Sequence, residues 1–383
     1  MKASFLWIAV FALLSCKKNS TVQSEPYNFP GGLPMSLQKG INLSNWFNDY
    51  SDPGKFATHF TPIHFAKIKQ LGFTFVRIPI GNTILFQPDN PSQLKNYNLP
   101  FVDSAVKMAT DAGLAVVINY HPWQEDFEKQ MFYDPSKSNE LAAYWQSIAS
   151  YFKKYTNQQI FFEVYNEPHI SQSLGVPNLW TWWWPLQEKI IEAIRRAAPR
   201  HYIIAGNEGW NNIDYLSKSV PYDQQGIIYN FHFYEPFVFT HQGATWVGDT
   251  WKLLHDVPYP ATPENVAPLI AASNNQDVKN LLTWYGNYRV NADSLDKMIK
   301  VAADWSKAHN VPLTCNEFGV YKVYAPPADR AQCIHDVRSS LEKYGIGWAM
   351  WECDEGFGLF EYPDGNRDHI VVDADISASL GLN

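Results

Sequence analysis

Short apolar runs alternate along the chain with segments whose apolar positions recur every three or four residues. The runs occupy residues 40–45, 73–80, 114–121, 160–167, 202–206, 227–234, 313–318 and 346–351. They are nearly continuous rather than strictly alternating, the pattern of parallel strands buried on both faces. Between them the spacing predicts helices. Thr61-Pro62 sets a capping residue before a proline at the first helical position, and Leu71-Gly72 ends that segment. Val102, Ala105, Val106 and Ala109 share one face ahead of Gly113, and Leu186, Ile190, Ile194 and Ala197 repeat the stripe. Asp293-Ser294 opens a helix carrying Leu295, Met298, Ala302 and Trp305, and Ala331, Ile334, Val337 and Leu341 line another ahead of Gly345. Eight alternations of strand and helix predict an α/β fold of the (β/α)₈ TIM barrel type, with one parallel circuit. A doubly wound sheet competes, but its nucleotide-binding form needs a glycine-rich turn after the first strand, and Gly40-Ile41-Asn42-Leu43 has none. The connections after strands two, three, four and six are long, residues 236–293 most of all. In a barrel such loops stand at the C-terminal rim, where the chemistry is kept.

The N-terminus has a different pattern. Lys2 precedes an apolar stretch from Phe5 to Leu14, too short to anchor stably across a bilayer, so residues 1–15 read as an export signal. Leu13-Leu14-Ser15-Cys16 resembles the bacterial lipobox, in which the cysteine is lipidated and becomes the first residue of the mature chain. The expectation is therefore a signal peptide over 1–15, a polar tether over 16–35 that begins at a lipidated Cys16, and one barrel domain over 36–383. An ordinary signal peptide with an incidental cysteine is the alternative. A lipid anchor would place the protein on the cell envelope, at the outer membrane or cell surface, with the leaflet left open. Cys315, Cys333 and Cys353 are an odd, widely spaced set without a CxxC pair, and read as core thiols rather than a disulfide framework or a zinc site.

Composition narrows the function. The net charge of −8 and the lack of a basic run argue against a nucleic-acid partner, and a monomer is expected. With 15 Trp, 21 Tyr and 23 Phe, the chain has aromatic side chains for a core and also for the flat faces of sugar rings.

Polar residues gather where the predicted strands end. Arg77 precedes Ile78-Pro79, Asn119-Tyr120-His121 ends strand three, and Asn166-Glu167-Pro168-His169 ends strand four. His232-Phe233-Tyr234-Glu235 ends strand six, Asn316-Glu317-Phe318-Gly319 strand seven, and Trp351-Glu352-Cys353-Asp354 strand eight. Cleaving a glycosidic bond with retention needs one protonated and one ionised carboxyl, about 5–5.5 Å apart. Ends of strands four and seven face each other across a barrel mouth, so Glu167 and Glu317 can form that pair. Like charges so close raise one pKa, and a nearby cation holds the other group ionised; Arg77 is the cation available to Glu317.

With Asn166-Glu167-Pro168 on strand four and Glu317-Phe318-Gly319 on strand seven, the chain resembles the clan of (β/α)₈ retaining glycosidases, and within it glycoside hydrolase family 5, the cellulase family. The resemblance runs from about Gly40 to the end of strand eight and includes matches at Arg77, His121, Asn166, Glu167, His232, Tyr234, Glu317 and Trp351. His121 stands in Asn-Tyr-His where many members have Asp-x-His. The resemblance implies Glu167 as acid/base and Glu317 as nucleophile. It implies Asn166 at the sugar 2-OH, Tyr234 on Glu317, His232 orienting the acid/base, Trp351 as the floor of the −1 subsite and His121 on a sugar hydroxyl. No cofactor and no metal are implied; His121, His169 and His232 lack a ligand spacing. Glu163 reads as an ion-pair partner, Glu208 as a lesser candidate for the acid, and Glu352, Asp354 and Glu355 as subsite or solvated rim groups. Trp180, Trp182, Trp183 and Trp184 are core or cleft. Trp123, Trp210, Trp246 and Trp251 are better placed for glucosyl subsites. The expected partner is a β-linked polysaccharide or oligosaccharide, and the expected activity endo-β-1,4-glucanase. A β-mannanase, a xyloglucanase, an exo-β-1,3-glucanase, or a carbohydrate-binding lipoprotein without turnover are the alternatives. Two intact carboxylates argue against the last.

Overall fold

In the computed structural model, which describes residues 29, 31–48, 54–122, 125–169 and 180–382, each apolar run overlaps with a strand, the first starting one residue earlier, at Lys39. These are β1 (Lys39–Asn42), β2 (Phe75–Ile80), β3 (Ala115–Tyr120), β4 (Ile160–Glu163), β5 (Ile203–Ala205), β6 (Ile227–Phe233), β7 (Leu313–Phe318) and β8 (Gly347–Met350). Every strand pairs in parallel with the next, and β8 returns to β1 with Lys39 opposite Trp348, which closes the barrel. Each strand is followed by one or more helices, among them α1 (Pro62–Gln70), α2 (Leu99–Asp111), α3 (Ser138–Phe152), α4 (Trp180–Ala197), α5 (Ile213–Leu216), α6 (Ala292–His309), α7 (Pro327–Lys343) and α8 (Ala374–Ser379).

The helix signals act as their chemistry requires. Pro62 opens α1 behind Thr61, whose N–H donates to His64 Nδ1 at 3.1 Å. The predicted stripe of α2, Val102, Ala105, Val106 and Ala109, is its buried face. One start differs from expectation. Asn291 Oδ1 accepts from Ser294 N at 3.1 Å and Ser294 Oγ accepts from Asn291 N at 2.9 Å, so α6 begins at Ala292. Asp293 then lies in the first turn, where the helix dipole favours a negative charge.

Two features escaped the pattern. The long connection after β6 holds helices Pro263–Ala272 and Gln276–Tyr288, and a small antiparallel pair, β9 (Phe360–Glu361) with β10 (Val371–Val372), follows β8. Residues 1–28, with Cys16, lie outside the described residues. Phe29 and Leu33, expected in the tether, pack against the barrel floor, so the packed chain reaches back to Phe29.

Inside the barrel, period-two alternation stacks side chains in layers. The floor is apolar: Phe75, Val117, Phe161, Ile204, Ile228 and Ala349. Gly40 completes it because a Cβ there would lie 2.3 Å from the Phe75 ring. Two residues further along the strands the layer turns polar, with Asn42, Arg77, Asn119, Glu163 and Asn230 all fully buried. At β7 the alternation breaks. Phe231 pairs with Cys315, but His232 pairs with Glu317, so Asn316 is an extra residue on that strand. A bulge of this kind re-aims the side chains that follow it. It lets both Asn316 and Glu317 face the axis.

Candidate active site

Arg77 is the centre of the polar layer. Its Nε and Nη2 donate to the two oxygens of Glu163, each at 2.8 Å, and Nη2 also donates to Asn166 Oδ1 at 2.8 Å. Nη1 donates to Asn42 Oδ1 at 2.8 Å and to Glu317 Oε1 at 2.6 Å. All five N–H groups of the guanidinium are thereby engaged. Burial alone would lower its pKa, but Glu163 and Glu317 outweigh burial and raise it above the ordinary value. Glu163, expected as an ion-pair partner, is the bidentate anchor of this arginine. Asn316 Nδ2 donates to Glu163 Oε2 at 2.9 Å, and Asn42 Nδ2 donates to the carbonyls of Asn316 and Met350 at 2.9 and 3.1 Å. β1, β2, β4, β7 and β8 are tied together by this one network.

Above it stands Glu317. Tyr234 Oη donates to Glu317 Oε2 at 2.9 Å, opposite the oxygen held by Arg77. Burial pushes the Glu317 carboxyl above the ordinary carboxylate value; His232 and Arg77 pull it down, Glu167 pushes it up, and the Tyr234 hydroxyl pulls it down. His232 Nδ1 donates to Glu167 Oε1 at 2.6 Å and lies 3.6 Å from Glu317 Oε2. Asn211 Nδ2 donates to His232 Nε2 at 3.3 Å, which leaves the proton on Nδ1, facing the carboxylates. Burial lowers the pKa of His232, but Glu317 and Glu167 raise it and prevail.

Glu167 lies beyond its strand. β4 ends at Glu163, not at 167, although Val164 N still donates to Ile204 O and Asn166 N to Tyr120 O. The chain then turns at Glu167 through a left-handed backbone, φ 45°. One atom each from Glu167, His232 and Glu317 lies within 4.8 Å of the others, the one such cluster among the described residues. Those three atoms could hold a cation; they equally present two carboxylates to one reacting carbon, with Arg77 already opposing the charge of Glu317. Asn166 is buried beside them. His121 bonds Asn119 Oδ1 through Nδ1 at 2.9 Å, and its ring lies nearly parallel to Trp351, centroids 5.7 Å apart. Burial, Arg77 and His232 push His121 well below its ordinary value, so it is neutral. The eight residues singled out at the strand ends therefore surround one barrel mouth.

Residues 30–356 match the family model described as Cellulase (glycosyl hydrolase family 5). The chain belongs to glycosyl hydrolase family 5. It is a glycosidase acting on O-glycosyl compounds. Endoglucanase 3 of Fibrobacter succinogenes is 28% identical over 340 residues, covering 85% of this chain and 50% of that protein, so the chain spans half the length of this relative. Endoglucanase C of Acetivibrio thermocellus is 29% identical over 326 residues, 83% of this chain and 91% of that protein. Cel5A of Thermotoga maritima, solved with cellobiose, superposes with a TM-score of 0.71 at 28% identity, covering 91% of this chain and 98% of that one. The same enzyme solved with mannotriose gives 0.69 at 28% identity, covering 90% and 97%.

Some side groups of the family 5 enzyme differ from expectation. Glu352 and Asp354 are buried, not solvated. Glu352 accepts from Ser44 Oγ, from Asn45 Nδ2 and from Phe357 N, and burial pushes its pKa up to about 8. Asp354 accepts from Arg367 Nη2 at 2.5 Å and is held low by His59 and Arg367 against the effect of burial. Glu208 is buried outside the cluster of three. Trp183 is fully buried, and Trp182 and Trp184 pack on the core; Trp123 and the Trp180 side chain lie outside the described residues. Trp210 and Trp246 are exposed, and Trp251 is partly buried. Cys315, Cys333 and Cys353 are free, buried thiols. Asn42, Asn211 and Asn316 were not anticipated. Only Asn316, adjacent to the nucleophile candidate, carried a positional hint.

Proposed function

We propose that this glycosidase is a retaining endo-β-1,4-glucanase with Glu317 as nucleophile and Glu167 as acid/base. The observation that carries the reading is the approach of the two carboxylates to within 4.8 Å. Inverting enzymes hold theirs about 6.5–9.5 Å apart to admit a water. Glu317 attacks the anomeric carbon as Glu167 protonates the departing oxygen, and the covalent glycosyl ester is then hydrolysed by water that Glu167 deprotonates. Tyr234 and Arg77 hold the two oxygens of the nucleophile, and His232 orients Glu167. Asn166 meets the sugar 2-OH, Trp351 floors the −1 subsite, and His121 contacts a sugar hydroxyl. Exposed Trp210 and Trp246 suit outer subsites. Relatives named endoglucanase support a β-1,4-glucan as substrate. A β-mannan is the second candidate, because Cel5A, similar over nearly its whole length, was solved with mannotriose as well as cellobiose.

The lipobox-like Leu13-Leu14-Ser15-Cys16 supports export and a lipid anchor at Cys16, hence a place on the bacterial envelope. The division into signal peptide, tether and barrel domain belongs to the same proposal.

Viscosity and reducing ends, followed on carboxymethyl cellulose, mixed-linkage glucan, glucomannan and xyloglucan, test the substrate and the endo mode. Proton NMR of the first product tests stereochemistry, and an initial α-anomer overturns the mechanism. Glu317→Gln should be folded and inactive. Glu167→Ala should still be glycosylated by an activated aryl glycoside and be restored by azide to give the β-glycosyl azide; an α-azide removes Glu167 from its role.

A further inference from the structure

The turn that carries Glu167 is held from outside the cluster described above. Its left-handed backbone, φ 45°, is a conformation that a non-glycine residue keeps only where its surroundings impose it. His169 Nδ1 donates to the Glu167 carbonyl at 2.7 Å. The His169 backbone N–H donates to Glu128 Oε1 at 2.7 Å, and Glu128 Oε2 lies 3.9 Å from His169 Nδ1. Trp210 covers the His169 ring, centroids 4.7 Å apart and planes within 11°, and the Trp210 backbone N–H donates to Pro168 O at 3.2 Å. Thus three consecutive residues, 167 to 169, are each held by a contact to the main chain.

Glu128 comes from the helix Glu125–Tyr133 after β3 and is 1% exposed. A carboxylate so far from water is retained against a desolvation penalty that its bonds must offset. One of those bonds fixes an N–H two residues past Glu167. The Glu167 carboxyl is gripped on one oxygen by His232, so the direction of its other oxygen depends on how the backbone beneath it is set. We propose that Glu128 and His169 are a positioning pair, which fixes the Glu167 turn so that the acid reaches the leaving-group oxygen. This rests on Glu167 being the acid/base.

The test is a series of aryl β-cellobiosides whose phenols span a range of acidity, compared by kcat/KM. A poor leaving group needs a well-placed proton and a good one does not. Glu128→Leu should lose roughly 30- to 100-fold on the least acidic phenol but under about 3-fold on dinitrophenol. Glu128→Gln keeps an oxygen for the His169 N–H and should stay within about 3-fold of wild type across the series. His169→Ala should show the same steepening as Glu128→Leu, and carries the comparison if the leucine variant does not fold. An equal loss on every phenol, or no loss on any, overturns the pair. Glu167→Ala is run alongside: if it fails to steepen, the acid/base assignment itself falls, and the two failures are distinguishable.

Discussion

At the scale of the residue, Glu317 is held by a division of labour between its two oxygens. Arg77 neutralises one at 2.6 Å, and Tyr234 donates to the other at 2.9 Å. The hydroxyl favours the ionised form, so removing it raises a carboxyl that burial has already raised. Tyr234→Phe should therefore move the acid limb of the kcat/KM profile to higher pH, because activity is lost as pH falls through the nucleophile's pKa. A hydrogen bond to a charged group contributes about 1.5–3 kcal/mol, so kcat should drop roughly 10- to 100-fold. An unmoved acid limb would detach Tyr234 from the nucleophile. Arg77 and Glu317 could be paired on paper because strand ends two and seven both point to a barrel mouth. That Glu163, Asn42 and Asn166 share the same guanidinium could not, since this depends on which strands become neighbours and in what register. Glu128 was less legible still. In Glu125-Asp126-Phe127-Glu128-Lys129 it looks like one charge among several on a solvated helix, and only tertiary packing buries it.

At the scale of the element, the strands were legible because burial on both faces leaves little choice but continuous apolar residues. Their ends were less so. Val164 and Tyr165 are as apolar as a strand interior, and nothing local marks the left-handed turn at Glu167. The pair β9 and β10 is two residues long on each side, below any periodic signal. Glycine 319 shows how closely the rim is fitted. A Cβ on it would lie 2.2 Å from the Trp351 carbonyl and 3.3 Å from the Phe357 ring. β7 and β8 would have to part at the point where Glu317 and Trp351, the proposed nucleophile and subsite floor, are presented. Gly319→Ala should destabilise by about 1–3 kcal/mol, as overpacking does, and lower kcat roughly 10- to 100-fold through misplacement. Urea unfolding and steady-state kinetics measure the two, and a stable variant with normal kcat would show that the strands part harmlessly.

For the molecule as a whole, the buried Glu352 couples stability to pH. Its folded pKa, about 8, is above the ordinary carboxyl value of 4.5. Below the lower value both states are protonated and no penalty arises. Between the two, the unfolded chain releases a proton that the folded chain keeps, so stability falls as pH rises, by about 1.4 kcal/mol per unit. Above about 8 the penalty levels off. Glu352→Gln has no proton to release and should flatten the stability curve by that slope between pH 5 and 8, measured by urea unfolding at each pH; parallel curves would show that the carboxyl ionises normally. At the other end of the chain, Cys16→Ser should release the protein from membranes without changing specific activity. Retention of the variant with labelled lipid would place the anchor elsewhere.

The extra residue in β7 bears on which changes of sequence this enzyme can survive. Most barrel strands can absorb a substitution, because neighbours shift and the register stays. The loss of one codon between Cys315 and Phe318 would instead restore strict alternation and leave a single axial position where Asn316 and Glu317 now stand. Either the guanidinium network or Glu317, the proposed nucleophile, would go. A deletion scan across the strands should therefore show its sharpest intolerance at this bulge, where the number of residues matters more than their identity.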